Sequence, residues 1–561
     1  MTHTAHTQVL ARVLLVLVFL SVLFAPVRYE GCDPFGSLMV SDSILTHGTV
    51  RLDAIGAQNT RLYGYNTDLH NGHYYYSFPL GTSIVSLPFV AVAKIFGLNM
   101  LYAEVPMQII IASITCVLTL LLLMKLARIF FDPLPAVLIS GVFWFGTSLS
   151  SVCGTALWSH NFAALFALLS IYLVIKKIVT EEQLSCWPLI AVVLFFAYLC
   201  RPTMALLVPF ELLFIFSYNK KTAFKIASLL LLLLMCFVWW SSNELHQFLP
   251  DYYIPQRLGG DRFYEALYNN VLGPSRGFLV YSPFIIVAWA CFKDSIRQVV
   301  LKKTWLLLGL AWPLLHLFTI SRFHQWWGGW TPGPRLITDA LPGLFLLTLH
   351  TWPTRWRLAK SKSSIVILSV ACLFSIFVNF FHGLFSYQYM RSFYSEPNID
   401  IYQEYLSDWR YPQFLFNKER RAARLLDLEI HTISFESKKA TFIGWGKPIK
   451  WFRQSTINHP AIIFQLNKEN HYRGDLLLRY NSVAPQAIRM LINGKPIAEF
   501  TTSAGVLAPD LLRSSYRVSF VKRFSCSPEI FKNGKNILAF ELAKPNPSEK
   551  LGLMFSYLII R

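Results

Sequence analysis

The chain has 561 residues, is 54% hydrophobic with mean hydropathy +0.43, and carries a formal net charge of +20. Apolar runs of about 15 to 20 residues recur along its first two thirds, the length needed to cross bilayer hydrocarbon, which excludes an ordinary soluble enzyme. Lys and Arg gather in short loops beside those runs, as in cytoplasmic loops of membrane proteins, so the charge does not mark a nucleic-acid binder.

In chain order, the first apolar run, Leu10 to Val27, is followed by no small-x-small cleavage site and reads as a retained span. Eleven candidate spans begin at Leu10, Val105, Leu134, Leu157, Leu189, Thr203, Ala223, Phe278, Trp305, Leu336 and Ile365. Basic clusters at Lys125 and Arg128, Lys176 and Lys177, Lys220 to Lys225, Lys293 to Lys303, and Arg355 to Lys362 fall in alternate loops. Placing all of them in the cytoplasm puts the N-terminus inside and residues 28–104, 150–157, 201–202, 242–277, 321–335 and 383–561 outside. The run Ile84 to Phe96 is left over, and lies in the interface or re-enters. The nine cysteines sit mostly inside apolar runs without a CxxC, so neither a zinc site nor a disulfide framework is indicated.

Five exterior loops carry the unusual polar residues, and all fall on one face. "HQWWGGWTPGPR", residues 324–335, packs Trp326, Trp327, Trp330, Gly328, Gly329 and Arg335 into a dozen positions. The exterior arginines Arg201, Arg276 and Arg335 each stand next to Pro or Gly, and several guanidinium forks at a bilayer edge suit a lipid-linked phosphate. Binding to phospholipid head groups is the plainer alternative. Asp33 adds a carboxylate just outside the first span. It is either a general base or the N-cap of a helix opened by Pro34. Asp42, nine residues on, falls on the opposite face if the stretch is helical, so the two do not form a hydrolase dyad, and Asp42 is left to contact substrate. His160, in "LWSHN", either donates to a phosphate or caps the fourth span. Asp339, one helical turn after Arg335, is expected to pair with it. Glu211 lies inside an apolar run with no visible partner and stays unassigned.

The ordered segments "CDPFGSLMVSDSILTHGTVRLD", "NGHYYYSFPLGTSIVSLPFVAVAKIFG", "ALWSHN", "LCRPTMALLVPF", "GPSRGFLVYSPF" and "WWGGWTPGPRLITDALP" resemble bacterial GT-C glycosyltransferases. The nearer group is similar to rhizobial lipopolysaccharide-core transferases and protein mannosyltransferases. The resemblance spans about residues 10 to 385. It implies a multi-span enzyme that uses polyprenyl-phosphate sugars at the outer membrane face, with Asp33 in the place of the catalytic acid. Many relatives carry a paired acid where this chain has Asp-Pro, which leaves metal dependence open: no cofactor is certain, and a divalent metal is possible. The Trp residues then present apolar faces to a sugar or to isoprenes, or else form an aromatic belt, while Gly328 and Gly329 let backbone approach the ligand.

From Thr441 the chain alternates apolar and polar, and Asn493-Gly494 is a hairpin signal. The expectation is a mainly α-helical polytopic membrane protein, GT-C-like, with about eleven transmembrane helices and a C-terminal jelly-roll-like β-sandwich. The parts are a catalytic domain at 1–385 with its first exterior loop at 28–104, a connector at 386–440, and a carbohydrate-binding-like sandwich at 441–561. The function this implies is an inverting glycosyltransferase of a bacterial inner membrane, moving a sugar from a polyprenyl-phosphate donor to a hydroxyl of a periplasmic or cell-surface glycan or glycolipid of lipopolysaccharide type. Its rivals are an O-antigen polymerase or ligase using lipid pyrophosphate, and a lipid-linked sugar flippase or transporter, which is not an enzyme.

Overall fold

The computed structural model describes residues 2–29, 31–56, 66–180, 182, 185–254, 258–260, 262–291, 305–351, 362–396, 398–434, 437, 440–447, 453–466, 474–482, 485–502, 520–543, 551 and 553–560. The basic clusters at 293–303 and 355–361 and the alternation at 516–519 lie outside the described residues. The chain forms two compact units, one of residues 1–391 with 406–415, the other of 392–405 with 416–561.

The first unit is helical. Among the described residues five of its helices are long and apolar enough to cross a membrane: His6–Phe24, Met100–Ala127, Ser159–Val179, Lys220–Glu244 and Lys362–Phe385. That corrects the count of eleven. The other apolar runs do form helices, but local sequence breaks them short. Trp187–Cys200 stops before Pro202, and a 3-10 turn, Pro202–Leu206, separates it from Leu207–Phe216. Ser282-Pro283 splits Phe278–Tyr281 from Phe284–Cys291, and a π-helical stretch, Trp305–Ala311, precedes Trp312–Ile320. A proline lacks the amide donor that a continuing helix needs, so each break is local in origin.

Broken helices leave end carbonyls without intrahelical partners, and buried side chains satisfy several of them. Asn379, in the π-helical segment Phe377–His382, donates through Nδ2 to Gly146 O at 3.1 Å and Tyr281 O at 2.8 Å. Its Oδ1 accepts from Ser151 at 3.3 Å, and Ser282 also donates to Gly146 O, at 2.7 Å. One contiguous core that includes Phe143, Trp144, Trp312 and Phe345 packs these helices together. The leftover run 84–96 is two short helices, Gly81–Val85 and Leu87–Ile95. Between the first two long helices lie helix Ser37–His47 and a small hairpin of β1, Thr67–His70, and β2, His73–Tyr76.

The second unit is β-rich. Its strands are β3 (432–434), β4 (440–443), β5 (453–454), β6 (461–466), β7 (475–482), β8 (487–492), β9 (495–501), β10 (520–525), β11 (534–542) and β12 (553–560). They form two five-stranded sheets, one in the order β10-β7-β12-β3 with β5 on β12, the other β4-β6-β11-β8-β9. Alternate residues Leu476, Leu478 and Tyr480 of one sheet share a core with Ile462, Phe464, Ile488, Met490, Leu538 and Phe540 of the other. Asn493 and Gly494 both take positive φ and join Ile492 to Lys495, the two-residue turn that pairing expects.

Candidate active site

Asp33 does not cap a helix. Helix 37–47 begins after Gly36, which stands at φ 99° and makes no side-chain cap. The turn holding Asp33 is instead pinned from outside at every step. Asn66 Nδ2 donates to Cys32 O at 2.8 Å, the Tyr76 hydroxyl to Asp33 O, and Gln108 Nε2 to Pro34 O at 3.2 Å. Beneath the turn, Glu104 Oε1 accepts the N–H groups of Gly36 at 2.8 Å and Leu38 at 3.0 Å. Burial first, then the charges of Asp33 and Glu104, push the Tyr76 phenol well above its usual pKa, which keeps it a donor. Three consecutive carbonyls and two amides held by remote side chains leave the Asp33 side chain in one place.

From that carboxylate a chain of charged groups runs inward. Arg335 Nη2 donates to Asp33 Oδ2, Arg335 Nε to His160 Nε2 at 3.1 Å, and Arg335 Nη1 to Gly328 O at 2.9 Å. The guanidinium lies 4.0 Å from the centre of the Trp158 ring, a cation–π contact. His160 Nδ1 is 2.6 Å from Asp339 Oδ1. Asp339 Oδ2 accepts Arg201 Nε at 3.1 Å and the Thr203 hydroxyl at 2.9 Å, and Arg201 Nη1 donates to the Tyr252 hydroxyl at 2.8 Å. The geometry fixes the His160 tautomer. Arg335 Nε is always a donor, so His160 Nε2 must accept, and the ring proton sits on Nδ1, donated to Asp339. With His160 neutral, two carboxylates and two guanidiniums balance.

The network has a wet end and a dry end. Side-chain exposure is 18% at Asp33, 7% at Arg335, 4% at Arg201 and zero at His160 and Asp339. His160 is therefore a link rather than a phosphate ligand, since both its nitrogens are engaged. Arg201 Nη2 makes no hydrogen bond to a described residue.

Several expectations change. Asp339 does not pair with Arg335. That segment is a 3-10 helix, Arg335–Ala340, which turns four-apart residues away from each other, and Asp339 takes Arg201 and His160 instead. Arg276 is not presented to a phosphate. It is buried and donates to Trp327 O at 2.6 Å, Gly329 O at 2.8 Å, Gln413 Oε1 at 3.0 Å and Ser275 O at 2.9 Å, so it shapes the tryptophan loop. Trp326 and Trp327 face inward, buried against each other with ring centres 6.0 Å apart, and Trp330 is half-buried. Gly328 and Gly329 both take positive φ, at 70° and 73°, which a side chain would resist; they form the turn that brings Gly328 O to Arg335. Asp42 lies outside the network and pairs with Lys94. Glu211 has a partner after all, Ser170 at 2.5 Å.

Sequence reading missed Glu104, Gln108, Asn66, Tyr76, Thr203 and Tyr252. Glu104 carried a signal, a carboxylate near the start of an apolar run, whereas the others are ordinary polar residues until the fold places them. Among the described residues no group of three or more His, Cys, Asp or Glu side chains can hold a metal ion. The Asp33 carboxylate is paired with Arg335, a cation that cannot itself ligate a metal. No protein-family model matches this chain, and no curated protein matches it.

Proposed function

We propose that the chain is an integral-membrane glycosyltransferase of the GT-C kind, moving a sugar with inversion from a polyprenyl-phosphate donor to a hydroxyl of a glycan or glycolipid acceptor. The finer setting belongs to the same proposal: a bacterial inner membrane, an N-terminus in the cytoplasm, and an exterior jelly-roll-like module that holds glycan. The observation that carries it is the convergence of Asp33, Arg335, His160, Asp339 and Arg201, from separate parts of the chain, into one alternating network whose only appreciably exposed member is a carboxylate.

The groups suit displacement at an anomeric carbon. In the resting site the Asp33 carboxylate is engaged by Arg335. A donor phosphate that engages Arg335 Nη2 and Arg201 Nη2 draws that fork away and releases the carboxylate. Asp33 then accepts the proton of the acceptor hydroxyl, the acceptor oxygen bonds to the anomeric carbon, and the bond from that carbon to the phosphate oxygen breaks with its electron pair. The departing phosphate is stabilised by both guanidiniums. Asp339 and His160, dry and fully engaged, keep the two arginines aimed.

The test is transfer of labelled sugar from polyprenyl-monophosphate and polyprenyl-pyrophosphate donors by purified wild type and Asp33→Asn, with folding checked for both. Transfer from a monophosphate donor, reduced about 10²- to 10⁴-fold in the folded variant, is expected of a lost general base. Undiminished transfer by Asp33→Asn sinks the mechanism. Activity on pyrophosphate donors alone moves the chain to polymerase or ligase chemistry.

A further inference from the structure

Away from the Asp33 network, a cleft of about 420 Å³ opens between helix 37–47 and the segment leading into helix 100–127. That volume falls within the range of roughly 300–1,000 Å³ typical of ligand sites. Its polar lining includes Asp42, Ser43, Thr46, His47, Lys94 and Asn99. Lys94 Nζ donates to Asp42 Oδ1 and, at 2.6 Å, to Thr46 Oγ1. Thr46 in turn donates to Asp42 O at 2.7 Å. Asn99 is occupied as a helix cap, accepting the Leu101 N–H at 2.8 Å. At Gly97, with φ +74°, an added Cβ would meet nothing within 4 Å, so the turn between the two helices leaves this edge open.

The chain flanking the lining residues Lys94, Gly97, Leu98 and Leu101 is apolar instead. Ile95, Phe96 and Tyr102 are 82%, 77% and 82% exposed, with Leu98 beside them. Large apolar side chains this bare, next to the first residue of a helix able to span a membrane, are suited to contact hydrocarbon at the level where the span begins. A charged floor with a greasy lip fits an amphiphile. A purely anionic head group would meet the Asp42 carboxylate and a purely cationic one the Lys94 ammonium. A head group bearing both charges satisfies each, since the Lys94–Asp42 pair can open with neither partner left uncompensated.

We infer that this cleft seats the head group of a zwitterionic phospholipid. Its phosphate faces Lys94, Thr46 and His47, its ammonium faces Asp42, and its acyl chains lie over Ile95, Phe96, Leu98 and Tyr102. The inference does not depend on the proposed transferase.

Native mass spectrometry of the full chain tests it, using phosphatidylethanolamine, phosphatidylglycerol and soluble phosphoethanolamine as probes. The wild type should retain phosphatidylethanolamine over phosphatidylglycerol by about tenfold, the effect of one charge-assisted contact. Asp42→Asn should lose that preference, Lys94→Gln should weaken both lipids, and millimolar phosphoethanolamine should not displace bound lipid. Thr46 is exposed, so Thr46→Ala should fold regardless and lower phosphatidylethanolamine retention several-fold. Equal retention of the two lipids by the wild type, unchanged retention in Thr46→Ala together with the folded charge variants, or displacement by soluble phosphoethanolamine each overturns the inference.

Discussion

At the scale of single residues, the buried charges sort by what each would strand if its partner were removed. Asp339 is fully buried and shared by His160, Arg201 and Thr203, so truncation leaves a buried guanidinium without its counter-charge. Breaking one side of a buried pair costs about 3–5 kcal/mol. Asp339→Ala is therefore expected to lower the thermal unfolding midpoint of the detergent-solubilised protein sharply. Asp339→Asn, which keeps an acceptor, should lower it less, and equal effects would argue that the charge is irrelevant. Arg335→Lys is a different kind of change. A single ammonium cannot serve Asp33, His160 and Gly328 O at once, nor stack on Trp158 as a guanidinium does, so transfer activity should fall while the Asp339–Arg201 pair stays intact. Activity equal to wild type in Arg335→Lys would mean that the fork has no role in the reaction.

At the scale of elements, the decisive contacts hold short and broken pieces in register. Glu104 joins the start of helix 100–127 to the turn after Gly36 by two amide hydrogen bonds. Glu104→Ala leaves both amides unsatisfied, at about 1–3 kcal/mol each, and should raise hydrogen exchange across residues 33–38 together with a loss of transfer. Loss of transfer without faster exchange there would assign Glu104 some other part. Gly81 makes the complementary point by close approach. A Cβ at that position would sit 2.3 Å from Cys200 N, so helix 81–85 rests directly on the end of helix 187–200. Gly81→Ala must push these ends apart, at a cost of about 1–3 kcal/mol or more, and because Arg201 follows Cys200 directly, transfer should suffer with stability. A variant with wild-type melting and transfer would show that the contact relaxes freely.

At the scale of the whole molecule, the chain divides into a helical unit and a β unit, each with its own core. A fragment of residues 416–561 is expected to be soluble without detergent and to give a strand-dominated circular dichroism spectrum, because the two facing sheets bury their apolar residues against each other. Insolubility or a coil spectrum would show that the β core needs the helical unit. The eleven apolar runs were legible as helices from composition, but their lengths were not. Hydropathy is insensitive to a π-helical stretch such as Trp305–Ala311 or a 3-10 turn such as Pro202–Leu206. In the site, Asp33, His160, Arg201 and Arg335 stood out as polar residues in apolar surroundings. Their pairing did not, because helical spacing points Arg335 to its neighbour Asp339 whereas its carboxylate partner lies 302 positions away.

What the sequence by itself determined is what short-range physics controls. Apolar runs of sufficient length make helices suited to a membrane, alternation makes the sheets, Asn493-Gly494 turns a hairpin, and prolines end helices where they stand. Only the tertiary structure decided which charge meets which. Asp33 with Arg335, Asp339 with Arg201, and Glu104 with the backbone of the first loop are unions across 302, 138 and 66 to 68 residues. In a dry interior a charge must find a partner or pay heavily, and the partner it finds depends on which helix faces pack together, a property of the assembled core that no local window contains.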